Sequence, residues 1–353
     1  MTEHIVAIGP LPPPLHGLSL ATSAMIDLLV EDNTVVVANL SPSPPTARPW
    51  RHPAKLARVL AACNTLFRQC RSPGKRGYIA CDGGLGQIYT LLLVVTARLL
   101  SYPTYLHHHS FRYIDNEMLA MRLILTLAGP RLTHVFLGEA MRERFTDTYA
   151  KRIRSKIVSN AAFVAPRARP EVEAGPRPLT IGLLSNLNAD KGLHIFLALL
   201  RQARREGLSV RAILAGPAAD TGDRAAIDAA VTEFTGTLEY RGPVEGEAKA
   251  RFYDDIDVFV FPTTYADEAQ PIVLFEAKAA GNAIIAYDRG CIHGQLDETD
   301  LLVPQTGEFE ATALAWPSLC DDPSRRSMVR QRIRRQYEIR HRDARKQAKS
   351  LMR

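Results

Sequence analysis

The chain has 353 residues, 46% of them apolar and 23% charged, and a formal net charge of +7. That length predicts two domains with ample core, and the composition excludes a disordered or fibrous chain. The charge is uneven, +8 over residues 1–165, −11 over 166–324 and +10 over 325–353, which points to an anionic partner on the basic side and, through the acidic middle, argues against a nucleic-acid binder.

The five cysteines (Cys63, Cys70, Cys81, Cys291 and Cys320) are scattered and contain no CxxC pair. Reduced thiols in a cytosol fit this usage better than a disulfide framework or a zinc site. No basic n-region with an apolar core opens the chain, so no signal peptide is expected. The longest apolar run, Ile88 to Val95, is too short to span a bilayer and reads as a buried helix.

In chain order, residues 4–9 read as a first parallel strand. A stiff, proline-rich loop, PLPPPLHGLS, leads into a helix from about Ser19 to Val30. Gly17 at the loop end permits close backbone approach to a ligand. His16 is either a ligand contact or a polar loop residue. A second strand covers 34–39. Residues 41–53 read as a surface loop, and 55–70 as an amphipathic helix with a basic outer face. The strand 78–81 runs into the glycine-rich turn Asp82-Gly83-Gly84-Leu85-Gly86, which is neither a Walker loop nor a GxGxxG. A strand over 103–107 ends in three successive histidines, His107 to His109. Neighbours on a strand point to opposite faces, so a polar strand end is favoured over a metal site. Helices over 118–128 and 140–149 and strands over 134–137 and 157–159 complete the first half. The proline-rich segment 166–178 marks the domain boundary.

The second half opens with a strand over 179–184, then the loop SNLNADKG and a helix from about Leu193. Strands over 210–215 and 238–240 alternate with helices over 223–234 and 247–254. The continuous apolar run Val258 to Phe261 suits a parallel strand buried on both faces. A polar loop from Pro262 to Gln270 follows. Pro271 is placed in the first turn of a helix over 272–280, which Gly281 terminates. A short strand covers 283–287. Residues 297–300 and 301–304 form a late loop and strand. From Ser324 a basic helix carries a thin apolar stripe of Met328, Ile333 and Tyr337. Amides at a helix start favour an anion, and carboxylates on either side suit the hydroxyls of a ribose and of a sugar.

Glu268 and Glu276, with seven residues between them and the continuation EAKAAG, resemble the EX7E motif of GT-B glycosyltransferases of the GT4-like retaining type. SNLNADKG resembles that family's phosphate loop, with Lys191 on the diphosphate lysine and Asn186 where an arginine is usual. GPLPPPLHG resembles the acceptor-side loop of bacterial polysaccharide glycosyltransferases, which puts His16 and Gly17 there. The histidine strand end resembles the family's sugar-facing histidine, best matched by His109, with His108 as the other choice. VSNAAF resembles the strand end before the family's linker, with Ala161 in place of glycine. The Asp255-Ile256-Asp257 triplet matches the family's loop into the buried strand rather than a metal-binding DxD.

This resemblance implies an α/β GT-B fold: two doubly wound Rossmann-like domains facing across a cleft, with a C-terminal helix returning to the first. The domains would be 1–165 on the acceptor side, 166–324 for the nucleotide sugar, and the basic helix 325–353. It implies a retaining, metal-independent transfer of a sugar from a UDP- or GDP-sugar to an acceptor hydroxyl, with no cofactor. The charge asymmetry, separately, suggests a lipid-linked or polysaccharide acceptor and an anionic membrane surface as a further partner of a cytoplasmic protein, peripheral on the inner face of the membrane. Glu268, His109 and Lys191 would be catalytic. Glu276, Asn186, Gly216, Val244, Ala269, Gln270, Pro271 and Ile272 would hold the donor. Two other readings are an inactive glycosyltransferase-like binding subunit, which Asn186 favours, and a GT-B sugar-nucleotide epimerase.

Overall fold

A computed structural model describes residues 3–41, 51–150, 152–167, 178–315 and 323–352. The described residues form two compact units, Met1–Phe163 with Asp343–Arg353, and Val164–Arg342. The boundary segment 166–178 and the loop 41–53 fall largely outside the described residues, as does Cys320.

The first unit is built on a six-stranded sheet: β1 (His4–Gly9), β2 (Thr34–Asn39), β3 (Lys75–Cys81), β4 (Thr104–His108), β5 (Leu132–Phe136) and β6 (Ser155–Ile157), in the order β2-β1-β3-β4-β5-β6 with every pairing parallel. The central strands are continuous buried runs because helices cover a parallel sheet on both faces. These helices are α1 (Gly17–Val30), α2 (Arg51–Arg68), α3 (Gln87–Leu99), α4 (Arg112–Asp115), α5 (Leu119–Leu127) and α6 (Glu139–Tyr149). His16 caps α1 through a reciprocal pair: its Nδ1 accepts from the Ser19 amide at 3.2 Å, and its own amide donates to Ser19 Oγ at 3.1 Å. The helix therefore starts two residues earlier than the sequence suggests, and Gly17 lies inside its first turn. A Cβ on Gly17 would meet nothing within 4 Å, so no close approach within the fold requires glycine there.

The second unit repeats the plan with β7 (Leu179–Leu184), β8 (Val210–Ala215), β9 (Leu238–Tyr240), β10 (Val258–Phe261), β11 (Ala283–Tyr287) and β12 (Leu301–Val303), in the parallel order β12-β11-β10-β7-β8-β9. Its helices are α7 (Leu193–Arg205), α8 (Thr221–Glu233), α9 (Gly246–Asp255), α10 (Ile272–Ala280), α11 (Phe309–Leu314) and α12 (Pro323–Lys349). Buried polar anchors hold the centre. Asp257 accepts from the Thr180 amide at 3.0 Å and pairs with Arg326 and Arg330. Its neighbour Asp255 pairs with Arg241 at 2.7 Å. Both carboxylates of the DxD are thus engaged in structural ion pairs. Lys278 is buried against Asp297, at 2.8 Å, and Asp300; an unpaired ammonium there would be strongly unfavourable.

Three expectations change. Pro271 is the residue before α10 rather than in its first turn: its ψ of 122° is not helical. The run 88–95 is not buried all round, because Ile88 and Leu92 point to solvent. On α12, Ile333 and Tyr337 are buried but Met328 is exposed. Residues 323–342 of this helix group with the second unit, and its last turns with the first. There Arg345 and Lys349 both reach Glu31 at 2.5 Å.

Candidate functional site

In an open parallel sheet, ligands bind beyond the carboxyl ends of the strands, where the strand order reverses. In the second unit this point lies between β7 and β10, since the chain runs from β7 towards β9 on one side and from β10 towards β12 on the other. The loops leaving these two strands are Ser185–Gly192 and Pro262–Pro271. Gly192 lets them touch. Its φ is +83°, and a Cβ there would meet the Pro262 carbonyl oxygen at 2.3 Å. Gly216 serves the next loop in the same way: its φ is +115° and its Cβ would lie 1.8 Å from the Ser185 oxygen.

These close approaches bring together residues far apart in sequence. Lys191 Nζ donates to Glu268 Oε2 at 2.5 Å and lies 4.4 Å from the centre of the Tyr265 ring. Thr263 Oγ1 donates to the same Glu268 oxygen at 3.3 Å. The Lys191 amide is held by Asn188 Oδ1 at 2.8 Å. Behind Glu268, the Cys291 amide donates to the Ala269 carbonyl at 2.8 Å, and Gln295 Nε2 donates to that of Pro271 at 2.9 Å. The loop entering α10 is thereby pinned, with Ala269, Gln270 and Pro271 buried and Ile272 half-buried.

Glu276 lies on the fifth residue of α10. Lys249 donates to its Oε1, and the Tyr253 hydroxyl to its Oε2 at 2.8 Å. Burial first, and then the Glu276 carboxylate, raise the Tyr253 pKa well above the ordinary phenol value, so this hydroxyl remains a donor. Lys249, Tyr253, Thr263 and Tyr265 are contacts that sequence reasoning missed. The one local signal is the i,i+4 spacing of Lys249 and Tyr253 on α9, which places both on one helix face. Asn186 is exposed, and Val244 packs half-buried against the core. Neither side chain joins the charged cluster.

The first unit reverses between β1 and β3, where the loops carrying His16 and Asp82 leave the sheet. Lys55 Nζ sits 2.6 Å from Asp82. Burial lowers the His16 pKa, with Asp82 opposing and Lys55 adding a smaller effect. The three histidines separate. His107 meets the Tyr78 hydroxyl through Nδ1 at 2.8 Å. His108 is fully buried between the Tyr113 hydroxyl and His134, each at 2.9 Å, which removes it as a ligand contact. His109 lies just past the strand end, its ring 4.1 Å from that of His107. Its Nε2 has no partner among the described residues, and burial pushes its pKa down to about 3. It is a neutral imidazole with one nitrogen unused. Among the described residues no three His, Cys, Asp or Glu side chains gather as a metal site, and no helix is long and apolar enough to cross a membrane.

Residues 178–322 match the family model described as glycosyl transferases group 1. Three solved structures share the fold. HepE from Anabaena, in complex with UDP, is 15% identical with a TM-score of 0.68 and 98% coverage of both chains. Sucrose-phosphate synthase from Thermosynechococcus elongatus is 15% identical with a TM-score of 0.70, covering 96% of this chain and 94% of that one. WaaG, a glycosyltransferase involved in lipopolysaccharide biosynthesis, is 12% identical with a TM-score of 0.62 and 99% coverage of both. No curated protein sequence matches the chain. The chain has the GT-B fold, with two Rossmann-like domains.

Proposed function

We propose that the protein transfers a sugar, with retention and without a metal, from a nucleoside diphosphate sugar to an acceptor hydroxyl. The observation that carries this is the Lys191–Glu268 pair at the sheet reversal, on the loop that leads into the helix carrying Glu276. HepE has been captured with UDP and with UDP-glucose, which makes a UDP-sugar the first donor to test. Glu276, aimed by Lys249 and Tyr253, would accept from the ribose hydroxyls. Lys191 and the amides opening α10 would meet the charge that builds on the departing β-phosphate. Glu268 would position the sugar by accepting from its hydroxyls. The bond from the anomeric carbon to the phosphate oxygen breaks as a bond to the acceptor oxygen forms on the same face. The acceptor proton passes to the leaving phosphate.

Gly83 to Gly86, His16 and Gly17 lie at the reversal of the first unit, where we place the acceptor. A lipid-linked or polysaccharide acceptor suits the basic charge of that unit and a cytoplasmic, peripheral location. The test is a thermal-shift panel of UDP, GDP, ADP, CMP and NAD in EDTA, on native protein and on Glu276→Ala. A ligand at one hundred times its dissociation constant adds about 2.7 kcal/mol. Stabilisation by one nucleoside diphosphate, lost in the variant, supports the donor site, and turnover of its sugars then separates transfer from mere binding. No shift with any nucleotide overturns the reading.

A further inference from the structure

Three helices of the first unit each carry a second apolar stripe, on the side facing away from the core. On α2 it is Leu56, Leu60 and Phe67; on α3, Ile88, Leu92 and Leu99; on α5, Leu119, Leu123 and Leu127. Each set recurs at i+4 with i+8 or i+11, which confines it to a sector of about 40–80°. The exposures are too large for edges of a core: Leu60 54%, Phe67 65%, Ile88 58%, Leu99 78% and Leu119 73%. Single exposed leucines need no explanation, but nine in three parallel rows do.

The rows belong to one surface. Cys63 on α2 meets Thr96 on α3 at 3.5 Å, and the Arg98 guanidinium on α3 donates to the Leu127 carbonyl on α5. The three helices contain no Asp or Glu, while Lys55, Arg58, Arg68, Arg98 and Arg122 punctuate the leucines. Lys55 and Arg122 are matched by Asp82 and Glu117. Arg58 and Arg68 are exposed and make no ion pair among the described residues.

We propose that the outer face of α2, α3 and α5 docks on an anionic lipid bilayer, with the leucines and Phe67 entering the headgroup–acyl boundary and the arginines on lipid phosphates. Charge decides the occupant. A second copy would bring Arg58 and Arg68 against a face whose neighbouring carboxylates, Asp82 and Glu117, are already paired, whereas anionic headgroups complement it. Ile88 lies in the first turn of α3, which directly follows the Gly83–Gly86 turn, so the surface extends to the acceptor end of the sheet. This deepens the lipid-linked acceptor reading and rests on it only for what the bilayer delivers.

The test is flotation with phosphatidylcholine vesicles, with and without phosphatidylglycerol, on native protein, on Phe67→Ser/Leu99→Ser/Leu119→Ser and on Arg58→Glu/Arg68→Glu. All five side chains point outward, and a melting curve checks that the variants fold. The native chain should float with anionic vesicles only. The serine variant should bind about tenfold more weakly or worse, and the glutamate variant should lose the phosphatidylglycerol preference. A Phe67→Trp reporter should shift to the blue and be quenched by bromolipid. Native protein that stays with the pellet, a serine variant that floats like native, or a dimer dispersed by the serine substitutions would each overturn the proposal. Neither donor nor acceptor enters the assay, so its failure leaves nucleotide binding by the second unit untouched.

Discussion

Replacing Glu268 by glutamine should tighten nucleoside diphosphate binding while abolishing sugar transfer. In the free site Glu268 occupies the Lys191 ammonium at 2.5 Å. An incoming diphosphate must share that cation with a carboxylate of its own sign. Glutamine keeps the shape and the Thr263 contact but removes the charge. With the phosphate about 6 Å from Glu268 and an effective dielectric of about 40, one unit of like charge costs about 1.4 kcal/mol, or tenfold in Kd. Titration calorimetry with UDP and with uridine separates the effects. UDP should bind about tenfold more tightly to Glu268→Gln, and uridine, which carries no phosphate, should be unaffected. Lys191→Ala should weaken UDP alone, by about 1.5–3 kcal/mol for a charge-assisted contact. Unchanged or weaker UDP binding by Glu268→Gln would refute the shared-cation reasoning.

Two further outcomes follow from the same geometry. Gly216→Ala forces a Cβ onto the Ser185 carbonyl at a φ of +115°; a loss of at least about 3 kcal/mol should lower Tm by roughly 6–12 °C, and an unchanged melting curve would remove the close-approach argument. Acid should destabilise the first unit through His134, which is buried beside His108 and whose pKa burial holds down at about 3. Its folded pKa lies below the unfolded value of about 6.5, so the unfolded chain takes up the proton first. Stability is full above about pH 6.5 and falls by up to about 1.4 kcal/mol per pH unit for this one residue as pH drops towards 3. Urea melts at pH 7 and pH 5 with equal midpoints would contradict this.

Much of the fold was legible in the residue order because parallel strands buried on both faces are continuous apolar runs. Leu179–Leu184, Val210–Ala215, Val258–Phe261 and Ala283–Tyr287 are strands over the residues the sequence marks out. Helix ends were legible where a local residue sets them: Gly281 closes α10 in the left-handed conformation. His16 was opaque because its capping role depends on a side chain folding back to its own backbone, which loop composition does not announce. The spacing of Glu268 and Glu276 is likewise local, spanning one loop and one helix.

Tertiary structure alone decided what those carboxylates touch. Lys191 reaches Glu268 across a chain separation of 77 residues because Gly192 lets their two loops touch. Lys249 and Tyr253 reach Glu276 because α9 and α10 pack side by side. It also decided which apolar residues face water. Amphipathic periodicity reports that a helix has two faces, and α2, α3 and α5 have apolar residues on both. A sequence window cannot tell which stripe meets the sheet, because burial is a property of what packs against the helix and not of the helix itself.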